Sequence, residues 1–127
     1  MKSALIDTHV FIWLVEDDPI LSVSLRDILE NTDNVFVSIA SFWEISIKVK
    51  IGKLSLCSDF ENIGTRFAAT RFKLLSITLR DTIKLYHLPL HHKDPFDRIL
   101  VAQAINNSLI LVIRDNTLDS YPIQRLW

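Results

Sequence analysis

Asp94-Pro95-Phe96-Asp97-Arg98-Ile99-Leu100-Val101-Ala102-Gln103-Ala104-Ile105-Asn106, followed by Leu109-Ile110-Leu111-Val112-Ile113, decides the fold. Asp94 is a good helix N-cap. Pro95 suits the first helical turn, because it has no N–H to lose and its φ is preset. The apolar positions behind it carry the helix through Asn106. Five aliphatic residues in a row at 109–113 then read as a strand buried on both faces, closed by Arg114-Asp115. A helix that feeds a wholly apolar strand is the unit of an α/β domain with a mostly parallel sheet.

Working outward, Ala4-Leu5-Ile6 reads as another short buried strand, ending in Asp7-Thr8, with a helix over residues 9–15. Asp18-Pro19 predicts a helix running to about Glu30, Asn31-Thr32-Asp33-Asn34 a turn, and residues 35–37 a strand. Residues 38–51 carry two conflicting signals. Ile45, Ile47, Val49 and Ile51 alternate with Ser46, Lys48 and Lys50, which is a strand period, whereas Ser41-Phe42-Trp43-Glu44 is a capping-box pattern and a helix signal. The local pattern favours a strand. Further helices are expected over 59–70 and 79–87, strands over 74–77 and at the 124–127 edge, and a loop over 88–93. There is no internal repeat and no linker, and 127 residues suit one domain over 1–127.

The hydrophobic fraction of 49% supports a core, and two Gly and four Pro argue against disorder. One cysteine, Cys57, excludes an internal disulfide and cysteine-pair zinc sites; it reads as a partly buried small side chain. Asp7 interrupts the first apolar run too early for a secretory leader, and no run is long enough for a membrane span, so a cytoplasmic protein without membrane contact is expected. The net charge of −1 does not announce a polyanion partner. Its distribution does more: residues 1–44 are acidic in balance, and residues 45–75 hold six basic side chains against Asp59 and Glu61.

Asp7 and Asp115 each follow a strand, and ligands of open parallel sheets bind outside the carboxyl ends of the strands. Carboxylates brought together there repel one another unless a cation sits between them, and the hard ions Mg²⁺ and Mn²⁺ suit oxygen donors. Each acid also has a purely structural reading. Asp7 and Asp94 can be N-caps, Asp115 can open a turn, Asp97 can favour a helix dipole, and Glu44 can complete a capping box. His91-His92 reads as a surface loop rather than a zinc site. With only Gly52 and Gly64, no phosphate-cradling loop and no G-x-S-x-G elbow exists.

Taken together, these segments resemble the PIN-domain nucleases, in particular the VapC-type toxins of bacterial toxin–antitoxin pairs. The matching pieces are Leu5-Ile6-Asp7-Thr8-His9-Val10; Ser41-Phe42-Trp43-Glu44-Ile45 with Lys48 and Gly52-Lys53-Leu54; Asp94 through Ala104; and Leu111-Val112 with Arg114-Asp115. The resemblance implies a PIN-like three-layer fold in which residues 39–51 are helical, against the local pattern. It places Asp7, Glu44, Asp97 and Asp115 on the family's acidic, metal-holding positions, with Asp94 and Thr8 in an outer shell. It implies hydrolysis of RNA with Mg²⁺ or Mn²⁺ through an activated water, RNA-backbone contacts from Lys48, Lys53 and Arg98, a homodimer, and inhibition by a small antitoxin. One position departs from the pattern: relatives often carry Thr or Ser where this chain has Ile113, so a hydroxyl near the metal is missing. A catalytically weak PIN-like module that binds RNA or a partner is the alternative. A phosphotransfer receiver or phosphatase of similar topology fits less well, because position 9 is His9 where those folds want a second acid.

Overall fold

The computed structural model describes residues 2–127. The chain runs β1 (Ser3–Ile6), α1 (Thr8–Val15), α2 (Val23–Glu30), β2 (Asn34–Ser38), α3 (Ile39–Lys50), α4 (Phe60–Ala69), β3 (Lys73–Leu75), α5 (Leu79–His87), α6 (Pro95–Asn107), β4 (Ile110–Val112), a 3₁₀ turn (Asn116–Ser120) and β5 (Arg125–Leu126). The five strands form one sheet in the order β3-β2-β1-β4-β5, and every pairing is parallel. This is the expected α/β class, with the central sheet flanked by helices. Ala4, Leu5 and Ile6 of the central strand are wholly buried.

The pleat sorts side chains onto two cores. Ala4, Ile6, Val35, Val37 and Val112 face one side with Phe11, Leu25, Leu29, Ile45 and Ile63. Leu5, Leu111 and Ile113 face the other with Ile99, Leu100, Leu118 and Tyr121. Each fully buried Val, Leu, Ile or Phe among them contributes about 1.5–3 kcal/mol relative to exposure. Both faces of the sheet are covered, as a parallel sheet requires.

Three expectations are corrected. The Asp18-Pro19 pair does not start a helix. Asp18 Oδ1 accepts from the Ile20 N–H at 3.0 Å, which closes a local turn, and Ser22 caps α2 instead through Leu25 N. Residues 39–50 form a helix and not a strand, capped by Ser38 from the end of β2 rather than by Ser41. Helical spacing turns Ala40, Ser41, Glu44 and Ile45 inward together; a strand would instead align Ile45, Ile47, Val49 and Ile51, of which Ile47 and Ile51 are exposed. Gly52, at φ 78°, terminates α3, and Lys53 N closes back on Lys48 O at 2.8 Å. Cys57 is exposed rather than partly buried. Among the described residues no helix is long and apolar enough to cross a membrane.

Candidate metal centre

β1 lies at the point where the connections reverse direction: β2 and β3 extend to one side of it and β4 and β5 to the other. The crevice beyond the carboxyl ends of β1 and β4 is where such sheets bind ligands. A cleft of about 430 Å³ opens there, lined by Asp7, Glu44, Asp94, Asp97 and Asp115 together with Lys48, Arg114 and Trp13.

Each acid arrives by a local device. Asp7, one residue beyond β1, caps α1 by accepting from Val10 N at 2.8 Å. Asp94 caps α6, accepting from Phe96 N and Asp97 N, which sets Asp97 in the first turn. Asp115 caps the 3₁₀ turn and accepts from both the N–H and the hydroxyl of Thr117. Glu44 reaches the cleft from the inner face of α3, only 3% exposed. Thr8 Oγ1 donates to Glu44 Oε1 at 2.6 Å, and Lys48, one turn along, pairs with Oε2. Thr8 has a single hydroxyl proton, so Ser41 Oγ, 3.0 Å from Thr8 Oγ1, supplies its own proton to Thr8. Both oxygens of Glu44 are thus engaged.

Burial pushes the Asp7 carboxyl up to about 7, with Asp97 and Glu44 adding to the rise and the Val10 N–H opposing it. Burial and the neighbouring Asp94 push Asp97 up to about 6, against the pull of His92. Asp115 is held below the usual carboxylate range by Thr117. Burial works against the Lys48 ammonium, but Glu44, Asp94 and Asp97 together raise its pKa. The cleft therefore concentrates more negative charge than its own cations balance, which is the condition a divalent ion relieves. Donor atoms of His92, Asp97 and Asp115 lie within 4.8 Å of one another, so the residues present fit such an ion. Asp7 and Glu44 border the same cleft but stand outside that three-atom group.

The PIN domain family model matches residues 4–123. The chain belongs to the PIN domain family. Two solved structures share the fold of this PIN domain. One is VapBC2 from Rickettsia felis bound to a DNA fragment from its promoter: TM-score 0.72, 13% identity, 98% of this chain and 97% of that one covered. The other is a toxin–antitoxin complex from Klebsiella pneumoniae: TM-score 0.67, 20% identity, 98% and 96% covered. No curated protein matches the chain.

Of the residues singled out in the sequence, Asp7, Glu44, Asp94, Asp97, Asp115 and Lys48 line the cleft of this PIN domain, and Thr8 braces Glu44. Lys53 is exposed in the turn after α3. Arg98 does not line the cleft: its guanidinium donates to the carbonyls of Leu85 and Leu88 at the end of α5. Sequence reasoning set His92 aside as a surface residue, yet its Nε2 lies 2.9 Å from Asp97 Oδ2 and 4.0 Å from Asp115 Oδ2. It also passed over Arg114 and Trp13. Only the adjacency of Arg114 to Asp115 could have pointed to the first, and Trp13 sits one turn past His9 on a helix where nothing local separates a cleft-facing aromatic from a core one.

Proposed function

We propose that this chain is a VapC-type toxin: one PIN domain over 1–127 that hydrolyses RNA phosphodiesters with a bound divalent ion, Mg²⁺ or Mn²⁺, and is held in check by a small antitoxin. The observation that carries the reading is the convergence of Asp97 and Asp115 donor atoms at the strand-end cleft that Asp7 and Glu44 also border, in a chain of the PIN family. In this reading Asp97 and Asp115 hold the ion, with Asp7 beside them. Glu44, fixed by Thr8 and Lys48, completes the acidic wall, and Asp94 sets the pitch of Asp97. When bound, such an ion supplies charge stabilisation at a phosphate and a more acidic water. Lys48 and Arg114 place positive charge on the cleft wall, where a phosphodiester backbone would run, and Lys53 extends that charge past the end of α3. The Trp13 ring offers a surface on which an unstacked base can lie.

The partner half of the proposal has its own support. Ile39, Trp43, Ile47 and Ile51 form an exposed apolar stripe along α3, and Leu79, Ile83 and Tyr86 form another on α5. Trp43 of the first stripe also lines an apolar groove with Leu85 of α5 and Phe96. A second copy of the chain covering this face would give the homodimer. The antitoxin is inferred from the toxin–antitoxin complexes among the structural neighbours.

Ile113 favours a second reading. The residue borders the cleft where the sequence resemblance leads one to expect a hydroxyl, but its aliphatic side chain packs into the core and offers the cleft no hydroxyl, which suits a module that binds RNA without cutting it. Incubation of a structured RNA with the purified chain, in Mn²⁺, in Mg²⁺ and in excess chelator, separates the two. Metal-dependent internal cleavage supports the nuclease. Undiminished cleavage in chelator overturns the metal mechanism, and retention of RNA without cleavage in any metal supports the binding module.

A further inference from the structure

The loop before α6 puts a nitrogen donor into a centre otherwise made of oxygens. His92 Nε2 lies 2.9 Å from Asp97 Oδ2 and 4.0 Å from Asp115 Oδ2, and one donor atom from each of the three residues falls within a single 4.8 Å group. Behind the ring, the loop backbone and Nδ1 each have a partner of their own. The His92 backbone N–H donates to the Tyr121 hydroxyl at 3.2 Å, and that hydroxyl donates to Pro89 O at 2.7 Å, which pins the loop, though not the ring itself, to the chain beyond the 3₁₀ turn. Nδ1 lies 3.4 Å from Thr117 Oγ1. The single Thr117 proton is already given to Asp115 Oδ1 at 2.7 Å, so Thr117 faces Nδ1 with a lone pair. Without an ion, the 2.9 Å contact with Asp97 is made by a proton on Nε2; an ion would take that proton's place, and the Thr117 lone pair beside Nδ1 suits the Nδ1–H tautomer that then frees the Nε2 lone pair for it. A histidine whose far nitrogen is fixed by an acceptor while the near one meets carboxylates is the arrangement of a metal ligand. The neighbouring His91 makes no such contact; its ring packs on Tyr121.

We propose that His92 is a ligand of the metal centre through Nε2, and that it makes the site select a first-row transition ion that accepts imidazole, such as Mn²⁺, over Mg²⁺. This rests on the metal-site reading above and sharpens it. Mg²⁺ demands oxygen donors in near-octahedral geometry, whereas imidazole suits the transition metals. An Asp–Asp–His set therefore discriminates where an all-carboxylate set does not.

Mn²⁺ is its own probe. Electron spin-echo envelope modulation on the Mn²⁺-loaded full chain should show ¹⁴N coupling from a directly bound imidazole. His92→Gln should remove it, and His9→Gln, which changes the histidine on the cleft wall, should keep it. Calorimetric titration should show His92→Gln weakening Mn²⁺ by about tenfold or more, while Mg²⁺, bound by carboxylates alone, changes by less than about threefold. Mn²⁺ binding to the unaltered chain without ¹⁴N coupling overturns the ligand assignment and leaves the carboxylate site standing; this arm needs no variant to fold. An unchanged Mn²⁺/Mg²⁺ ratio in a folded His92→Gln chain overturns the selectivity. Mn²⁺ binding that survives Asp97→Asn combined with Asp115→Asn overturns the metal-site reading itself, and the inference with it.

Discussion

Asp7 and Asp115 hold matching places. Each lies just beyond a parallel strand, each caps the helical turn that follows, and each accepts a backbone N–H at 2.8–2.9 Å. Their carboxyls are nevertheless driven in opposite directions, up to about 7 for Asp7 and below the usual range for Asp115. The caps cannot make the difference, because both have one. Burial does: Asp7 is 5% exposed and looks toward Asp97 and Glu44, whereas the Asp115 side chain is 39% exposed and has Thr117, His92 and Arg125 as company. The cleft thus has an inner side, where negative charge is held at a cost in the metal-free protein, and an outer side, where it is not.

Removing the charge on the inner side should have the largest effect. Asp7→Asn keeps a good cap, since Asn ranks with Asp at that position. On the proposed metal-site reading, losing this charge should slow RNA cleavage on the order of a hundredfold or more, about 3 kcal/mol of barrier. Single-turnover cleavage with saturating Mn²⁺ measures it, and a wild-type rate would break the distinction between the two sides.

The pH dependence of stability is the next test. Asp7 and Asp97 titrate in the folded chain near 7 and 6, above their ordinary 3.8, so between those values the folded protein binds protons that the unfolded chain does not. The stability they contribute is fully present below about pH 4 and is lost as pH rises through 6 and 7. Each unit is about 1.4 kcal/mol, so the metal-free protein should lose on the order of 2–4 kcal/mol between pH 5 and pH 8. Asp7→Asn should flatten that slope and melt above wild type at pH 8. Urea unfolding in chelator across this range reads it out, and Mn²⁺ should restore the wild type at high pH by mass action. A wild type that grows steadily more stable from pH 5 to 8 would contradict the inner-side account.

Lys48→Met should cost about 1–3 kcal/mol, because it leaves the buried Glu44 carboxylate with Thr8 alone. Combining it with Glu44→Gln should recover most of the loss in a double-mutant cycle followed by thermal melts. The smallest effect is expected on the outer side. Asp115→Asn keeps its cap at a half-exposed place, so at neutral pH in chelator it should shift stability by no more than about 0.5 kcal/mol. A large shift there would mean that the two sides are not distinct.

What could be read in the residues beforehand follows the range of the interactions involved. β1, β4 and α6 were legible because a run of aliphatics, an Asp cap and a Pro act within a few residues. α3 was not: its alternating Ile and Val mimic a strand, and what decides it is the burial of Ala40, Ser41, Glu44 and Ile45 against α1 and α6, which no local window contains. The acids were legible as strand-end and cap positions. His92 was not, because its placement depends on Tyr121 and Thr117, 29 and 25 residues away. The placement of Arg98 was illegible for a similar reason, since the carbonyls that take its guanidinium belong to the end of another helix.

Three of the cleft acids, Asp7, Asp94 and Asp115, are also N-caps. In genetic terms this makes silence easy to reach. Asp and Asn codons differ by one nucleotide, and the Asn oxygen satisfies the same backbone N–H. On the proposed function, a lineage under pressure to shed a harmful activity could do so by one substitution that leaves the chain folded and its outer surfaces intact. If the proposed activity and partners hold, such a variant would keep its fold and with it the surfaces its active parent uses for binding.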